Sequence, residues 1–109
     1  MAKFEVYKDK KGNFRFRLKA NNGQTVIASE AYTTKTACNN GISSVRMNST
    51  KMDRYDKLLS KNGKVYFNLK ASNGQVIGTS EIYSSRPAME NGIRVVREVS
   101  DNAEVVDLD

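Results

Sequence analysis

The sequence predicts an α+β protein in which two similar halves form one antiparallel sheet with two helices on one face. Three observations lead to this prediction. Residues 63–100 repeat residues 12–49 at an offset of 51 without a gap, and 18 of the 38 positions are identical. Each copy begins with a strict alternation of apolar and polar residues, which is typical of a half-buried strand. Each copy ends with apolar residues spaced along one helical face.

The length of the chain predicts one domain, residues 1–109, made of two repeats at about 1–51 and about 52–109. A unit of about 50 residues buries too little surface to be stable alone, so the copies should share a core around a pseudo-twofold axis. A hydrophobic content of 39% and a charged content of 28% are typical of soluble proteins. No apolar run reaches the ~20 residues of a membrane span, and the N-terminus has no secretion signal. We therefore expect a cytoplasmic protein.

The first copy opens with strands. Residues 3–8 are rich in β-favouring types, with Phe4 and Val6 on one face. Residues 14–20, FRFRLKA, alternate strictly between core-facing and outward-facing positions. Asn22-Gly23 then predicts a type I′ hairpin, because both central residues of that turn need a positive φ. Residues 24–29 return as the second strand of this hairpin.

A helix follows in the first copy. Thr33 or Thr34 is the expected N-cap, and the helix should run to about Met47. Gly41 lies in its interior, where it costs ~1 kcal/mol relative to alanine. We expect this glycine where the helix backbone approaches the sheet so closely that a Cβ would collide. Tyr32, just before the helix, should pack at the junction between strand and helix.

The second copy repeats this order. Asn73-Gly74 marks its hairpin, its helix should begin near Ser84 or Ser85, and Pro87 falls in the first helical turn. The tail AEVVDLD predicts a final strand, whose equivalent in the first copy is 52–54. The predicted core consists of Phe4, Val6, Phe14, Phe16, Leu18, Val26, Ile42, Val45, Val65, Phe67, Leu69, Ile77, Ile93 and Val96.

The doubled motif resembles the YegP-like family of small bacterial tandem-repeat domains. The motif is F-x-L-K-A-x-N-G-Q, then S-E-x-Y, then N-G-I-x-x-V, and it covers Phe16–Gln24, Ser29–Tyr32 and Asn40–Val45, then Phe67–Gln75, Ser80–Tyr83 and Asn91–Val96. The resemblance implies β3-α-β repeats that build one antiparallel sheet and exchange their C-terminal strands. The molecular function of that family is uncharacterised, so the resemblance implies no catalytic or ligand residues.

The composition argues against catalysis. The chain has no histidine, which is the commonest general base and metal ligand. Its single cysteine, Cys38, can form neither an internal disulfide nor a zinc site of the usual kind. Cys38 aligns with Met89 on an apolar helix face, which favours a packing role. Glu30 and Glu81 precede the helices, where carboxylates stabilise a helix start. We predict no catalytic residues, no metal and no cofactor.

The charge is uneven, because residues 1–51 hold 10 Lys+Arg against 3 Asp+Glu, and residues 52–109 hold 8 against 9. Alternation places cations and aromatic rings on the sheet face opposite the helices, which suits single-stranded nucleic acid. An uncovered sheet face also needs polar side chains without any partner. The candidate binding face consists of Tyr7, Arg15, Arg17, Lys19, Tyr66, Asn68 and Lys70.

A second hypothesis is a protein-interaction or structural module, because the edge strands of a sheet can pair with another chain. Exchange of strands between molecules would give a dimer, but we expect exchange within one chain and therefore a monomer. We predict a non-catalytic interaction domain that does not span a membrane. Single-stranded nucleic-acid binding is the alternative.

Overall fold

The computed structural model describes residues 1–108. These residues form seven strands, two long helices and a short 3₁₀ helix at Met52–Arg54. The elements are β1 (Lys3–Lys8), β2 (Phe14–Lys19), β3 (Thr25–Ala28), α1 (Lys35–Asn48), β4 (Tyr55–Leu59), β5 (Val65–Lys70), β6 (Val76–Ser80), α2 (Arg86–Val99) and β7 (Glu104–Asp107).

All seven strands belong to one sheet, in the order β4-β5-β6-β3-β2-β1-β7. The two repeats meet at the centre, where β3 pairs with β6. Every neighbouring pair is antiparallel except β1 and β7, which are parallel. The predicted α+β fold is therefore confirmed, with one parallel pair at the edge of an otherwise antiparallel sheet.

The exchange of C-terminal strands takes place in one direction only. β7 of the second repeat lies against β1 of the first repeat. The equivalent segment of the first repeat, Met52–Arg54, forms the 3₁₀ helix and leads straight into β4 at Tyr55. No separate edge strand can form between α1 and β4, because β4 begins directly after Met52–Arg54. The outer side of β4 consequently has no counterpart of β7 within residues 1–108.

The two hairpins are confirmed, but the predicted type I′ turn is wrong. Gly23 has a φ of 83°, and no non-glycine residue in the described chain has a positive φ, so Asn22 does not adopt the type I′ conformation. The Asn22 side chain instead accepts a hydrogen bond from the Gln24 amide at 3.0 Å. Ala20 N–H bonds to the Gln24 carbonyl across the loop. This is the three-residue alternative, in which only the glycine needs a positive φ.

The helices begin where the sequence predicts. Thr34 caps α1 by accepting the Ala37 amide at 3.0 Å, and Ser85 caps α2 by accepting the Ala88 amide at 3.2 Å. Pro87 lies in the first turn of α2. There its missing N–H breaks no intrahelical bond. Glu30 and Glu81, which were expected to support the helix starts, are exposed and lie before the capping residues Thr34 and Ser85.

The core lies between the sheet and the two helices. Thirteen of the fourteen predicted core residues are buried, and the exception is Phe14. Phe14 is half-buried, with the ammonium groups of Lys8 and Lys35 at 5.3 and 5.6 Å from its ring centroid. Ile27, at the junction of the repeats, is also fully buried and was missing from the prediction. Cys38 packs in this core, as its apolar helix face indicated.

Candidate binding surfaces on the sheet

The first candidate surface is the sheet face opposite the helices, which we call the open face. The predicted residues on it are Tyr7, Arg15, Arg17, Lys19, Tyr66, Asn68 and Lys70, and they lie on β1, β2 and β5. The strands β3 and β6 separate β2 from β5, a distance of about 14 Å at about 4.8 Å per strand. The structure therefore brings these residues together as two groups rather than as one continuous surface.

The first group is organised around Glu5, which the sequence analysis did not single out. Arg17 donates from Nε to the Glu5 carboxylate at 2.7 Å. The ammonium groups of Lys19 and Lys3 lie 3.3 and 3.5 Å from the same carboxylate. Glu5 is only 6% exposed. The alternation of β1 carried this signal, because Glu5 points away from the core-facing Phe4 and Val6.

The charges around Glu5 keep its carboxylate ionised. The hydrogen bond from Arg17 lowers the pKa of Glu5, burial opposes this change, and the Lys19 ammonium lowers the pKa further. An ionised Glu5 partly neutralises three cations of the open face. The positive potential of this group is consequently smaller than the sequence alone indicates.

Arg15 is paired as well. Its Nε donates to the Asp9 carboxylate at 2.9 Å, and the amides of Asn13 and Lys11 also donate to Asp9. The Arg15 guanidinium, followed by the Asn13 amide, lowers the pKa of Asp9. Beside this pair lies a shallow cleft of about 470 Å³, lined by Tyr7, Asp9, Lys10, Lys11, Asn13, Arg15 and Ala31.

Tyr7 is the aromatic residue of the first group. The Arg17 guanidinium lies 4.6 Å from its ring centroid, in a cation–π arrangement. One side of the ring is therefore already occupied by a side chain of the same sheet. A nucleobase that stacked on Tyr7 would need the other side or would displace Arg17.

The second group also combines both signs of charge. Lys70 pairs with Asp56 at 2.9 Å. Asn68 accepts a hydrogen bond from the Thr79 hydroxyl at 2.8 Å. Tyr66 is half-buried and lies opposite Leu58 on the neighbouring strand. In both groups the cations are matched by carboxylates, which lie on β1, on β4 or, for Asp9, in the turn after β1.

The second candidate surface is the outer side of β4, which we call the β4 edge. On the equivalent side of β1, the Leu108 amide donates to the Val6 carbonyl at 2.8 Å. The pair Val6–Phe16 of β1 and β2 and the pair Lys57–Phe67 of β4 and β5 occupy equivalent positions in the two repeats. The N–H and C=O groups of Lys57 therefore point away from β5, and by the same alternation so do those of Tyr55 and Leu59.

The bound strand β7 shows how such an edge is filled. Arg46 of α1 donates to the carbonyls of Ser100 and Asp101 at 2.9 Å and of Ala103 at 2.8 Å. Its guanidinium lies 5.1 Å from the ring centroid of Phe4. Lys35, at the start of the same helix, pairs with Asp107 at 2.7 Å. Two cations of α1 therefore hold the strand and the segment before it.

The chemistry of the remaining titratable groups is limited. Burial raises the pKa of the Cys38 thiol, which disfavours the reactive thiolate. Within residues 1–108, no three His, Cys, Asp or Glu side chains are grouped so that they could hold a metal ion. Neither α1 nor α2, the long helices of that range, has the length and apolarity that a bilayer span requires.

Comparison with known proteins identifies relatives along nearly the whole chain. A UPF0339 protein from the ptx operon 5′ region of Stutzerimonas stutzeri is 49% identical over 105 residues, covering 96% of this chain and 95% of its own. YegP of Escherichia coli K12 is 50% identical over 94 residues, covering 86% of each chain.

Two solved structures share the fold. The solution NMR structure of YegP from E. coli, described as a protein of unknown function, superimposes with a TM-score of 0.93 at 46% identity and covers 98% of this chain and 92% of its own. That of a UPF0339 protein from Shewanella oneidensis gives 0.93 at 47% identity, covering 98% and 91%. The sequence pattern of a domain of unknown function, DUF1508, matches residues 9–56 and 60–107. The chain thus belongs to the DUF1508 family of YegP-like bacterial proteins and carries two copies of its domain.

Proposed function

We propose that this chain is a protein-interaction module that binds an extended segment of another protein along the β4 edge. The observation that carries the proposal is the pairing of β7 with β1, because it shows the same type of edge filled by a strand in the other repeat. Addition of a strand to a sheet edge is a common mode of peptide recognition.

The β4 edge has the features that strand addition needs. The side chain of Leu59 is 71% exposed and offers apolar surface beside the backbone groups. The ammonium group of Lys57 pairs with Glu90 of α2 at 2.7 Å, which holds the lysine toward the helix side. Lysines on edge strands also protect proteins against aggregation. That protective role is the competing explanation for Lys57, and peptide binding to the variants distinguishes protection against aggregation from strand binding.

The open face supports nucleic-acid binding less well. Arg15, Arg17 and Lys19 each pair with a carboxylate already. A phosphate would have to compete with Asp9 and Glu5 for these cations, which reduces the gain from phosphate attraction. An extended protein segment is therefore a better-supported ligand than single-stranded nucleic acid.

The proposal describes a non-catalytic monomer in the cytoplasm that uses no cofactor. Cys38, the one strong nucleophile by residue type, is buried in the core. The pairing of β3 with β6 and the shared core support residues 1–109 as one domain. Binding at one edge leaves the core and the pairing between the repeats intact.

The test is a selection of short random peptides against the folded protein, followed by binding to two variants. Lys57→Pro removes the outward N–H while an edge position tolerates the ring. Lys57→Gln keeps the outward N–H and removes only the charge, so it separates loss of the backbone donor from loss of the ammonium group. Peptides that bind Lys57→Gln at equal or moderately reduced affinity but do not bind Lys57→Pro support strand addition. Leu59→Pro, at the end of the strand, is a second edge variant that should also lose binding, and its thermal melt verifies folding.

Other outcomes would overturn the proposal. Selected peptides that bind Lys57→Pro and Leu59→Pro as well as the wild type would show that they dock elsewhere. An NMR titration with a mixed single-stranded oligonucleotide pool covers the alternative. Shifts confined to Tyr7, 15–19 and 66–70 that fade with rising salt, and that disappear when Arg15, Arg17 and Lys19 are replaced, would favour nucleic acid instead.

A further inference from the structure

We propose that the segment bound at the β4 edge is acidic, runs parallel to β4, and is held by Arg86 and Arg97. This inference rests on the proposed function and specifies the partner of the same edge. It follows from comparing how the first repeat holds β7 with what the second repeat offers at the equivalent positions.

The first repeat supplies the template. Val105 lies opposite Phe4 and Asp107 lies opposite Val6, in parallel register. The Asp107 carboxylate pairs with Lys35 at 2.7 Å. Arg46 binds three carbonyls of the segment that leads into β7. The receptor therefore consists of a strand edge, one cation for a carboxylate and one guanidinium for backbone carbonyls.

The second repeat contains an equivalent of each part. The offset of 51 aligns Lys35 with Arg86, at the start of α2, and Arg46 with Arg97, in its last turn. Both arginines are exposed. Across residues 1–108, neither guanidinium makes a hydrogen bond or a salt bridge.

Arg97 occupies the position in α2 that Arg46 occupies in α1. Its positive charge acts on the Tyr55 hydroxyl, where it partly offsets the rise in pKa that burial causes. Tyr55 is the equivalent of Phe4, over which Arg46 lies. Each repeat therefore combines an aromatic residue at the beginning of its edge strand with an arginine in the last turn of its helix.

In the part of the chain that the structure describes, no carbonyl accepts a hydrogen bond from the Arg97 guanidinium. In the segment before β4, the Ser49 carbonyl accepts the Tyr55 hydroxyl at 2.7 Å. Arg54 anchors the same segment by donating to Asn48 at 3.0 Å. Tyr55 and Arg54 thus hold the segment that leads into β4. The equivalent segment that leads into β7 is held by Arg46 instead. The guanidinium of Arg97 remains available to an incoming chain.

The charge at the edge favours a carboxylate. Lys57 stands where the first repeat has Val6, the residue opposite Asp107. An acidic residue that lay opposite Lys57 would meet two cations, Lys57 and Arg86. The carboxylate there is Glu90, which pairs with Lys57. Two cations against one anion attract an acidic segment and disfavour a basic one.

The probe is a synthetic peptide with the sequence of residues 100–108, SDNAEVVDL, which is the chain's own bound strand. Its addition to labelled full-length protein should shift the amides of Tyr55, Lys57 and Leu59. The matched peptide with Asp107→Asn should bind about two- to fivefold more weakly, the range of one exposed ion pair. Arg86→Gln should remove that difference, and Arg97→Gln should weaken both peptides. Arg94→Gln, on an exposed turn of the same helix, is the control and should change neither affinity.

The outcomes separate the acidic preference from strand binding itself. Equal binding of the two peptides, unchanged by Arg86→Gln and Arg97→Gln, would overturn the acidic recognition while strand addition stands. Shifts at 3–8 instead of 55–59 would show displacement of β7 and would also overturn the inference. If neither peptide shifts the β4 amides, the inference fails, and the peptide selection with Lys57→Pro decides independently whether the edge binds strands at all.

Discussion

The hydroxyl oxygen of Tyr32 lies over the backbone of Gly41, so that a Cβ on residue 41 would come 2.5 Å from it. Tyr83 and Gly92 repeat this contact in the second copy. Each tyrosine ring also stacks on a core phenylalanine, Phe16 or Phe67, at centroid distances of 6.3 and 6.4 Å. The glycine of the doubled N-G-I motif therefore lies where the helix backbone approaches a tyrosine at the junction between strand and helix, and a Cβ would not fit there.

We expect Gly41→Ala to destabilise the protein by about 1–3 kcal/mol through overpacking, although alanine favours a helix by about 1 kcal/mol. Tyr32 cannot move away easily, because its backbone bonds to Phe14 in both directions at 2.7 Å. Urea denaturation measures the free energy of unfolding. Ser43→Ala, exposed on the same helix, is the control and should stay within about 0.5 kcal/mol. A stabilised Gly41→Ala would contradict the close approach.

Arg46 and Arg97 occupy equivalent positions in the two repeats but should contribute differently to the free energy of unfolding. Arg46→Met should cost about 2–4 kcal/mol, because it leaves three carbonyls without a charged donor. Arg97→Met, at the equivalent exposed position, should cost less than about 0.5 kcal/mol in the absence of a partner. Chemical denaturation of both variants gives the comparison. Equal losses would mean that β7 is not held by Arg46 in the way described.

The cluster around Glu5 predicts a pH dependence of stability. The pKa of Glu5 is lowered in the folded protein. Its contribution is therefore fully present above its unfolded pKa of about 4.5 and is lost as the pH falls through the lower folded value. The difference in the free energy of unfolding between wild type and Glu5→Gln should shrink as the pH is lowered from about 5 to 3. A difference that stays constant over this interval would contradict the ion pairs of Glu5.

The shared core predicts that damage to one repeat affects both. Phe16 and Phe67 are fully buried, and either Phe→Ala replacement should cost about 3–5 kcal/mol. Because the repeats share a sheet and a core, unfolding should remain one transition by circular dichroism and by tyrosine fluorescence. Phe14→Ala should lower the free energy of unfolding by less, because Phe14 is only half-buried. Two separate transitions, or a loss below about 1 kcal/mol for Phe16→Ala, would contradict the shared core.

The sequence predicts those parts of the fold that depend on local pattern. The alternation of β2 and β5, the caps Thr34 and Ser85, and the role of Gly41 all follow from residue types at fixed spacing. The turn at Asn22-Gly23 does not, because an Asn-Gly pair suits both a type I′ turn and the observed three-residue loop. Local preference leaves these two conformations undecided.

The candidate sites depend on long-range pairing and were less predictable. The segments 52–54 and 103–105 occupy equivalent positions in the repeat, and only the immediate start of β4 at Tyr55 prevents the first from forming an edge strand. Alternation likewise places Arg15, Arg17 and Lys19 on the candidate binding face, but it does not show that Glu5 pairs with Arg17 and Lys19 there. Which carboxylate meets which cation is decided by strand register, and register needs the structure.

Amide hydrogen exchange of Lys57, compared with that of Val6 in the free protein, shows whether the β4 edge is open to a strand ligand. The two residues occupy equivalent positions on β4 and β1, and only the edge at Val6 is covered by β7. We predict strong protection at Val6 and fast exchange at Lys57, followed by slower exchange at Lys57 when a strand ligand is added. Protection of Lys57 equal to that of Val6 in the free protein would show that the edge is already occupied in solution, and it would contradict the proposed binding site.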